Sequence, residues 1–477
     1  LIVIPQGWPN IYENPRSITK AKMATLIGLQ NLLPSRKFMI LLGTLILLVP
    51  YVVENRVAGI AVFSTIFLAI LLLSPSTGLV VYYLLISFGT LLVTNVDKQI
   101  VETGLVSITY EGMLSFVLVL GSLFLILFDQ RIKTKKVGLL KSPGLALFII
   151  FVIVCLLEAI LIHPDKVEAL KEVMKMASVI MFYWISIMIF RREDIPLIRN
   201  ALTLVFMVLL GYSISLYIAQ SETTIFRAGV EIARFEPGVL SAVDLSVWMA
   251  VLFPIVVDQL FKKKYVVRSV MWGAIILLSL FFITIFGARA SVFGLAISLL
   301  VYLIIRKKYA IALIYAVAVI LVILVSPWKF MLYDLLMPTQ SNNLSDRIEN
   351  IWLPILRSGI SNVIVGVGAR GFGDYLYKVS GWYFTAAHNI YLEILVENGI
   401  IALIIFLSAN AQILFQSIKT IKSKSLLLFN TVPLMIYLLA GFTSTLRFIL
   451  FYMQIFMFLS VSSVMRGNYV SSKRQEM

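Results

Sequence analysis

The residues best suited to proton chemistry stand together in 385–399, TAAHNIYLEILVENG. His388 is one of only two histidines in 477 residues. Imidazole can take up a proton near neutral pH, and can orient or deprotonate a hydroxyl. Taken alone, it reads more simply as a histidine held at an interface by a backbone hydrogen bond; its neighbours shift that reading. Asn389, Glu393 and Glu397 are four apart, so a helix starting near Asn389 carries them on one stripe. Carboxylates on a spanning helix are costly unless they face a cavity or a partner. Glu393 and Glu397 read as well as a structural Glu–Arg lock as they do as catalytic groups.

Arginines supply the second kind of chemistry. Arg289 stands in FGARAS between small neighbours, and a guanidinium binds phosphate through two parallel hydrogen bonds. The plainer alternative is snorkelling to head groups. Arg234 in EIARFEPG has a weaker local case, and Arg227 reads as a solvated loop charge. The run GVGARGFG at 366–373 holds a formal G-x-G-x-x-G. A dinucleotide fingerprint requires a strand–helix–strand unit, and about sixty polar residues between two apolar runs leave no room for one. Its glycines are expected to let the backbone turn tightly and come near a substrate. Arg370 within the run could touch a phosphate or a sugar. The chain has no Asp-x-Asp pair and no P-loop, and one distant second histidine, His163, makes a zinc site very unfavourable.

These residues must be positioned by apolar helices. The chain is 60% hydrophobic and only 13% charged, whereas a soluble domain runs nearer half apolar and a quarter charged. Apolar runs of bilayer-spanning length recur. About fourteen spans (12–14) are expected, at 38–53, 57–73, 77–94, 112–128, 144–162, 177–190, 200–219, 240–260, 270–286, 291–305, 310–325, 388–415, 426–441 and 446–465. The expected class is an all-α polytopic membrane protein. Segment 1–37 and the basic tail 466–477 are expected to be cytoplasmic. Residues 38–465 form one membrane domain, with a long extracytoplasmic loop, 326–387, holding short helices before the twelfth span. The net charge of +16 falls mostly in loops on one side of the alternation, such as Arg131–Lys136 and Lys262–Lys264. The positive-inside rule makes that side, and both termini, cytoplasmic. The charge is therefore read as topology and not as nucleic-acid binding. The charged segment 163–175 reads as a helix lying at the outer interface. The single cysteine, Cys155, excludes an internal disulfide, and no cleavable signal peptide stands out in the first 37 residues.

At this point the sequence resembles the O-antigen ligase and O-antigen polymerase superfamily of bacterial envelope glycosyltransferases, over roughly Arg227 to Arg447. The family pattern His, Asn/Ser/Gln, nine residues, Gly-x-x-Gly is similar to His388, Asn389, Gly399, with Ala402 in place of the second glycine. DRIENIW followed by GVGARGF resembles the family's Arg-x-x-x-x-Trp and Gly-x-Gly-x-Gly-Phe pattern. GARAS resembles its Gly-Ser-Arg-Gly turn, with Ala288 for Ser, and RFEPG its extracytoplasmic arginine segment, with Asp244 where an Asn is common. The resemblance implies a metal-independent, cofactor-free, inverting glycosyltransferase at the outer face of the cytoplasmic membrane. Its donor would be a glycan on undecaprenyl diphosphate, and its acceptor another glycan or a lipid. His388 would activate the acceptor hydroxyl, and Arg289 and Arg234 would bind the diphosphate. Arg370, Arg347, Glu393 and Asn389 are the further substrate-binding candidates. Partners implied are membrane lipids, a flippase and a chain-length regulator. Fourteen spans and a long segment before His388 resemble the polymerases more than the ligases. A lipid-linked oligosaccharide transporter is the rival reading; it would place charges deep in the bilayer and often repeats its halves, and no repeat is visible.

Overall fold

The computed structural model describes residues 56–92, 99–103, 106–128, 142–219, 222–227, 230–235, 241–261, 266–286, 289–325, 347–358, 364–384, 386–420, 424–446 and 448–475. The first expected span, segment 1–37, the basic clusters at 131–136 and 262–264, and the side chains of Arg227, Arg234, Arg289 and Arg447 lie outside the described residues.

Apolar runs become helices because a chain in lipid must satisfy its backbone groups within itself. Helices α1 (Arg56–Leu73) and α2 (Pro75–Leu92) are followed by α3 (Tyr110–Phe128), α4 (Leu145–Leu161) and α5 (Lys166–Ile189). Next come α6 (Ile195–Ile218), α7 (Ala242–Phe261), α8 (Val266–Ile285), α9 (Arg289–Ile305) and α10 (Tyr309–Val325). Two short helices, α11 (Leu353–Arg357) and α12 (Phe372–Ser380), precede α13 (Ile390–Thr420), α14 (Lys424–Ala440) and α15 (Phe448–Gln475). Each expected span from the second to the fourteenth coincides with one of the long helices. Among the described residues, five helical stretches are long and apolar enough to cross a membrane: Lys166–Ile189, Arg192–Ile218, Ala242–Gln259, Ile390–Lys419 and Phe448–Met465.

Three departures from the expected elements have physical causes. The charged segment 163–175 is no separate interfacial helix. Asp165 caps α5 by accepting from the Glu168 N–H, and the helix then runs unbroken into its apolar half. Two antiparallel ribbons, β1 (Gln99–Thr103) with β2 (Val106–Thr109) and β3 (Glu222–Arg227) with β4 (Val230–Phe235), stand between long helices among the described residues. Arg227 and Arg234 stand on that second ribbon. Finally, α13 is not straight: Gly399, at φ 76 and ψ 172, divides it.

The interior is aromatic. Phe148 of α4 meets Phe406 of α13 and Tyr452 and Phe456 of α15 edge-on, and Tyr183 of α5 stacks on Phe456 at 4.2 Å between centroids. Edge-to-face and offset pairs follow the ring quadrupole, and these rings tie four helices into one block. Tyr452 Oη donates to Asn410 Oδ1 at 2.7 Å within that block. The outward faces stay apolar, as at Leu313, Ile314 and Leu321 of α10, where lipid takes the place of a neighbouring helix.

The glycine run 366–373 meets the break in α13. The Val367 and Gly368 N–H groups donate to the carbonyls of Val396 (2.9 Å) and Glu397 (2.8 Å), which the break leaves without helical partners. The two backbones touch: a Cβ on Gly366 (φ 86) would sit 2.6 Å from the Glu397 carbonyl oxygen, and one on Gly399 would sit 2.5 Å from that of Ile364. Gly399 occupies a backbone region essentially reserved for glycine. Gly366→Ala should therefore lower stability by about 1–3 kcal/mol, read as a lower unfolding midpoint in detergent. Gly211→Ala on α6, where an added Cβ meets nothing within 4 Å, should be neutral or slightly stabilising; equal midpoints for the two variants would contradict this packing.

Candidate functional site

His388 sits in a turn held on both sides. The indole N–H of Trp352 donates to the Ala387 carbonyl at 2.9 Å. The Ile390 N–H donates to the Gly441 carbonyl at 2.9 Å, and the Tyr391 hydroxyl donates to the Leu438 carbonyl at 2.6 Å. Asn389 caps α13, its Oδ1 accepting from the N–H groups of Tyr391 (3.0 Å) and Leu392 (3.1 Å). Between these fixed points His388 adopts φ 51, a left-handed conformation uncommon outside glycine. Such strain persists only where the surroundings over-determine it. Arg347 reaches the same region from the short-helix segment, donating to the Thr443 carbonyl at 3.0 Å.

The electrostatics of the turn keep the imidazole neutral. Burial first, and then the charge of Arg347, lower the His388 pKa from 6.5 to about 4. At physiological pH the ring therefore carries a free lone pair that can accept a proton.

A cavity of about 510 Å³ opens beside the turn, and Ala386 and Ile390, two residues to either side of His388, line it. His388 itself is not among the lining residues. Glu393 and Glu397, one helical turn apart, both face into it, with Glu172 of α5 and Arg370 of the glycine run. The glycine run serves Glu397 as well as its helix: the Arg370 and Phe372 N–H groups donate to the Glu397 carboxylate. Arg370, at φ 66, turns its guanidinium to α5, pairing with Glu168 and with Glu172 (2.6 Å). Lys175 shares Glu172 at 2.8 Å. Glu393 differs: its Oε2 is shut off from solvent, beside the Thr445 hydroxyl. A third buried carboxylate, Glu158 of α4, accepts from Asn398 Nδ2 at 3.2 Å and anchors the break in α13 from below.

The structure thus brings Glu393, Glu397 and Arg370 to one cavity, with His388, Asn389 and Arg347 in the turn beside it. Arg289 begins α9 and Arg234 lies on β4; their side chains are outside the described residues. Glu168, Glu172 and Thr445 do not stand out by residue type, and Trp352 does so only as the end of the Arg-x-x-x-x-Trp resemblance. Glu168 and Glu172 had a usable signal, since their spacing of four puts two carboxylates on one helix face, ready for an arginine. The Thr445 and Gly441 contacts leave no local pattern, because they come from a loop about fifty residues further along.

The lowered His388 pKa has a sign that can be measured. Between about pH 4 and 6.5 the unfolded chain binds a proton here that the folded chain does not. This site's contribution to stability therefore falls as pH drops through that window and is level outside it. His388→Asn tolerates the left-handed turn and removes the titration. The native unfolding midpoint should drop more than the variant's between pH 7 and pH 5, and parallel drops would contradict a depressed histidine.

No curated protein matches the chain. Residues 273–407 match the family model described as O-antigen ligase, a segment that runs from α8 into α13 and includes Arg289, Arg347, Arg370, His388, Glu393 and Glu397. That segment carries the pinned histidine, and over this stretch the chain is similar to the O-antigen ligase family.

Proposed function

We propose that the protein polymerises oligosaccharide repeat units carried on undecaprenyl diphosphate into a cell-envelope polysaccharide, at the outer face of the cytoplasmic membrane. In this reading the chain has fourteen spans, both termini are cytoplasmic, and the loop 326–387 with the His388 turn is extracytoplasmic. The single observation that carries it is the His388 turn. A neutral imidazole is pinned by Trp352, Gly441 and the Asn389 cap, in a backbone conformation that costs energy to hold. A passive interfacial histidine needs no such arrangement.

The reaction follows from the groups present. His388 accepts the proton of an acceptor sugar hydroxyl, and the oxygen attacks the anomeric carbon of the donor glycan. The anomeric C–O bond breaks on the opposite face, and undecaprenyl diphosphate leaves with the electron pair, inverting the configuration. Arg289 and Arg234 bind the diphosphate and offset the charge that grows on it. Arg347 stands closest to the imidazole in effect, since its charge helps keep the ring unprotonated. A diphosphate arriving near Arg347 would offset that charge and raise the imidazole's basicity, toward the range in which a general base works best. The diphosphate leaving group supplies the driving force, so neither nucleotide sugar nor metal is required.

A reconstitution tests this. Purified protein receives undecaprenyl-diphosphate oligosaccharide without metal or nucleotide, and products are resolved by gel and mass spectrometry. A ladder of repeat units is expected, reduced at least about 100-fold in His388→Asn, the loss typical of a missing general base, and also in Arg289→Ala. Single transfer to a distinct lipid or protein acceptor would make the protein a ligase. Movement of the lipid-linked glycan across liposomes without any transfer would overturn the enzyme in favour of a transporter.

A further inference from the structure

The cavity below the His388 turn has a charge pattern unsuited to the leaving diphosphate. Its one lining arginine, Arg370, is already held by Glu168 and Glu172. What remains facing the space are Glu393 and Glu397, and the charged groups acting on Glu397 are the carboxylates of Glu393 and Glu172. An anionic ligand would find no free cation among the described lining residues to balance its charge.

Glu393 and Thr445 lie side by side in this wall. The carboxyls of Glu393 and Glu397 offer acceptors to a ligand that donates hydrogen bonds. The rest of the wall is apolar and aromatic: Phe151, Phe448 and the half-exposed ring of Tyr383 at the rim. An apolar wall with a few convergent acceptors, in a volume within the roughly 300–1,000 Å³ typical of small-ligand sites, suits the end of a sugar chain. Its hydroxyls and amines donate, and its C–H faces lie on the rings.

We propose that this cavity is the acceptor pocket. It takes the last one or few sugars of the acceptor glycan, admits neutral and amino-bearing sugars, and rejects acidic ones. The proposal rests on the transferase reading, because it presents a hydroxyl to the wall lined by Ala386 and Ile390, on either side of His388. It also separates the substrates: the donor diphosphate goes to the arginines outside the cavity and the acceptor sugar to the carboxylates within. Glu393 is then a residue that binds sugar and sets specificity, and it takes no proton in the reaction.

Free-sugar binding tests this apart from turnover. The full chain in detergent is titrated with disaccharides of glucose, N-acetylglucosamine, glucosamine and galacturonic acid, followed by saturation-transfer NMR. At least one of the first three should bind saturably, and the galacturonic acid disaccharide at least tenfold more weakly. Glu393→Gln, which keeps the volume, and Tyr383→Ala, at an exposed rim position, should each weaken the binding at least fivefold. Equal or tighter binding of the acidic sugar, or no binding of the other three, would overturn the pocket. Turnover separates the two readings. Saturable, variant-sensitive binding without any glycan transfer would uphold the pocket and sink the transferase. Transfer with an unchanged acceptor KM in both variants would uphold the transferase and sink the pocket.

Discussion

The site depends on how a broken helix end is satisfied. A helix interrupted near the membrane surface exposes carbonyls that lipid cannot hydrogen-bond. Here the run 366–373 supplies the missing donors: Val367 and Gly368 bond to Val396 and Glu397, and two glycines let the backbones touch. Once that joint is made, several features follow. The first part of α13, from Ile390 to Asn398, is held as a short rigid helix. Its Asn389 cap and the His388 turn are fixed at one end, and Glu397 is fixed at the other by the Arg370 and Phe372 N–H groups. Arg370 then ties the joint to α5 through Glu168 and Glu172. The glycine motif thus builds the scaffold, and its donors go to protein carbonyls and a carboxylate.

The same joint organises charge. Arg347 acts on His388 and Arg370 is taken up by Glu168 and Glu172 of α5, whereas Glu393 and Glu397 look into the cavity without a cation of their own. A reaction that expels a diphosphate while activating a neutral hydroxyl gains from such a division. In the proposed reaction, anionic and neutral reactants would be sorted before they meet, with the imidazole between them unprotonated.

Much of this was legible in the residues. The apolar runs gave the helices, because a spanning segment has few alternatives to a helix. The four-residue spacing of Glu393 and Glu397 correctly put both on one face, and the isolated His388 drew attention to its own turn. What stayed hidden was mostly long-range. Asn389 reads as a polar group that could touch substrate, yet it serves as the helix cap. Arg370 reads as a phosphate ligand, yet its partners lie some two hundred residues earlier, on a helix whose charges looked interfacial. Segment 163–175 misled because its amphipathic spacing fits a surface helix, and only packing shows that it continues into α5. The break at Gly399 was also invisible: a single glycine in an apolar helix costs little in pattern, and its conformation is set by the run 366–373 pressed against it.

The central claim is that His388 is a base poised on an acceptor hydroxyl. Chemical rescue measures it most directly. His388→Gly preserves the left-handed turn and leaves room for a free imidazole. Added imidazoles of graded basicity should restore glycan transfer to this variant, with rates that rise with their pKa and saturate with concentration. If no imidazole restores transfer while the folded variant still binds its lipid-linked donor, His388 only shapes the turn, and the account of the site is wrong.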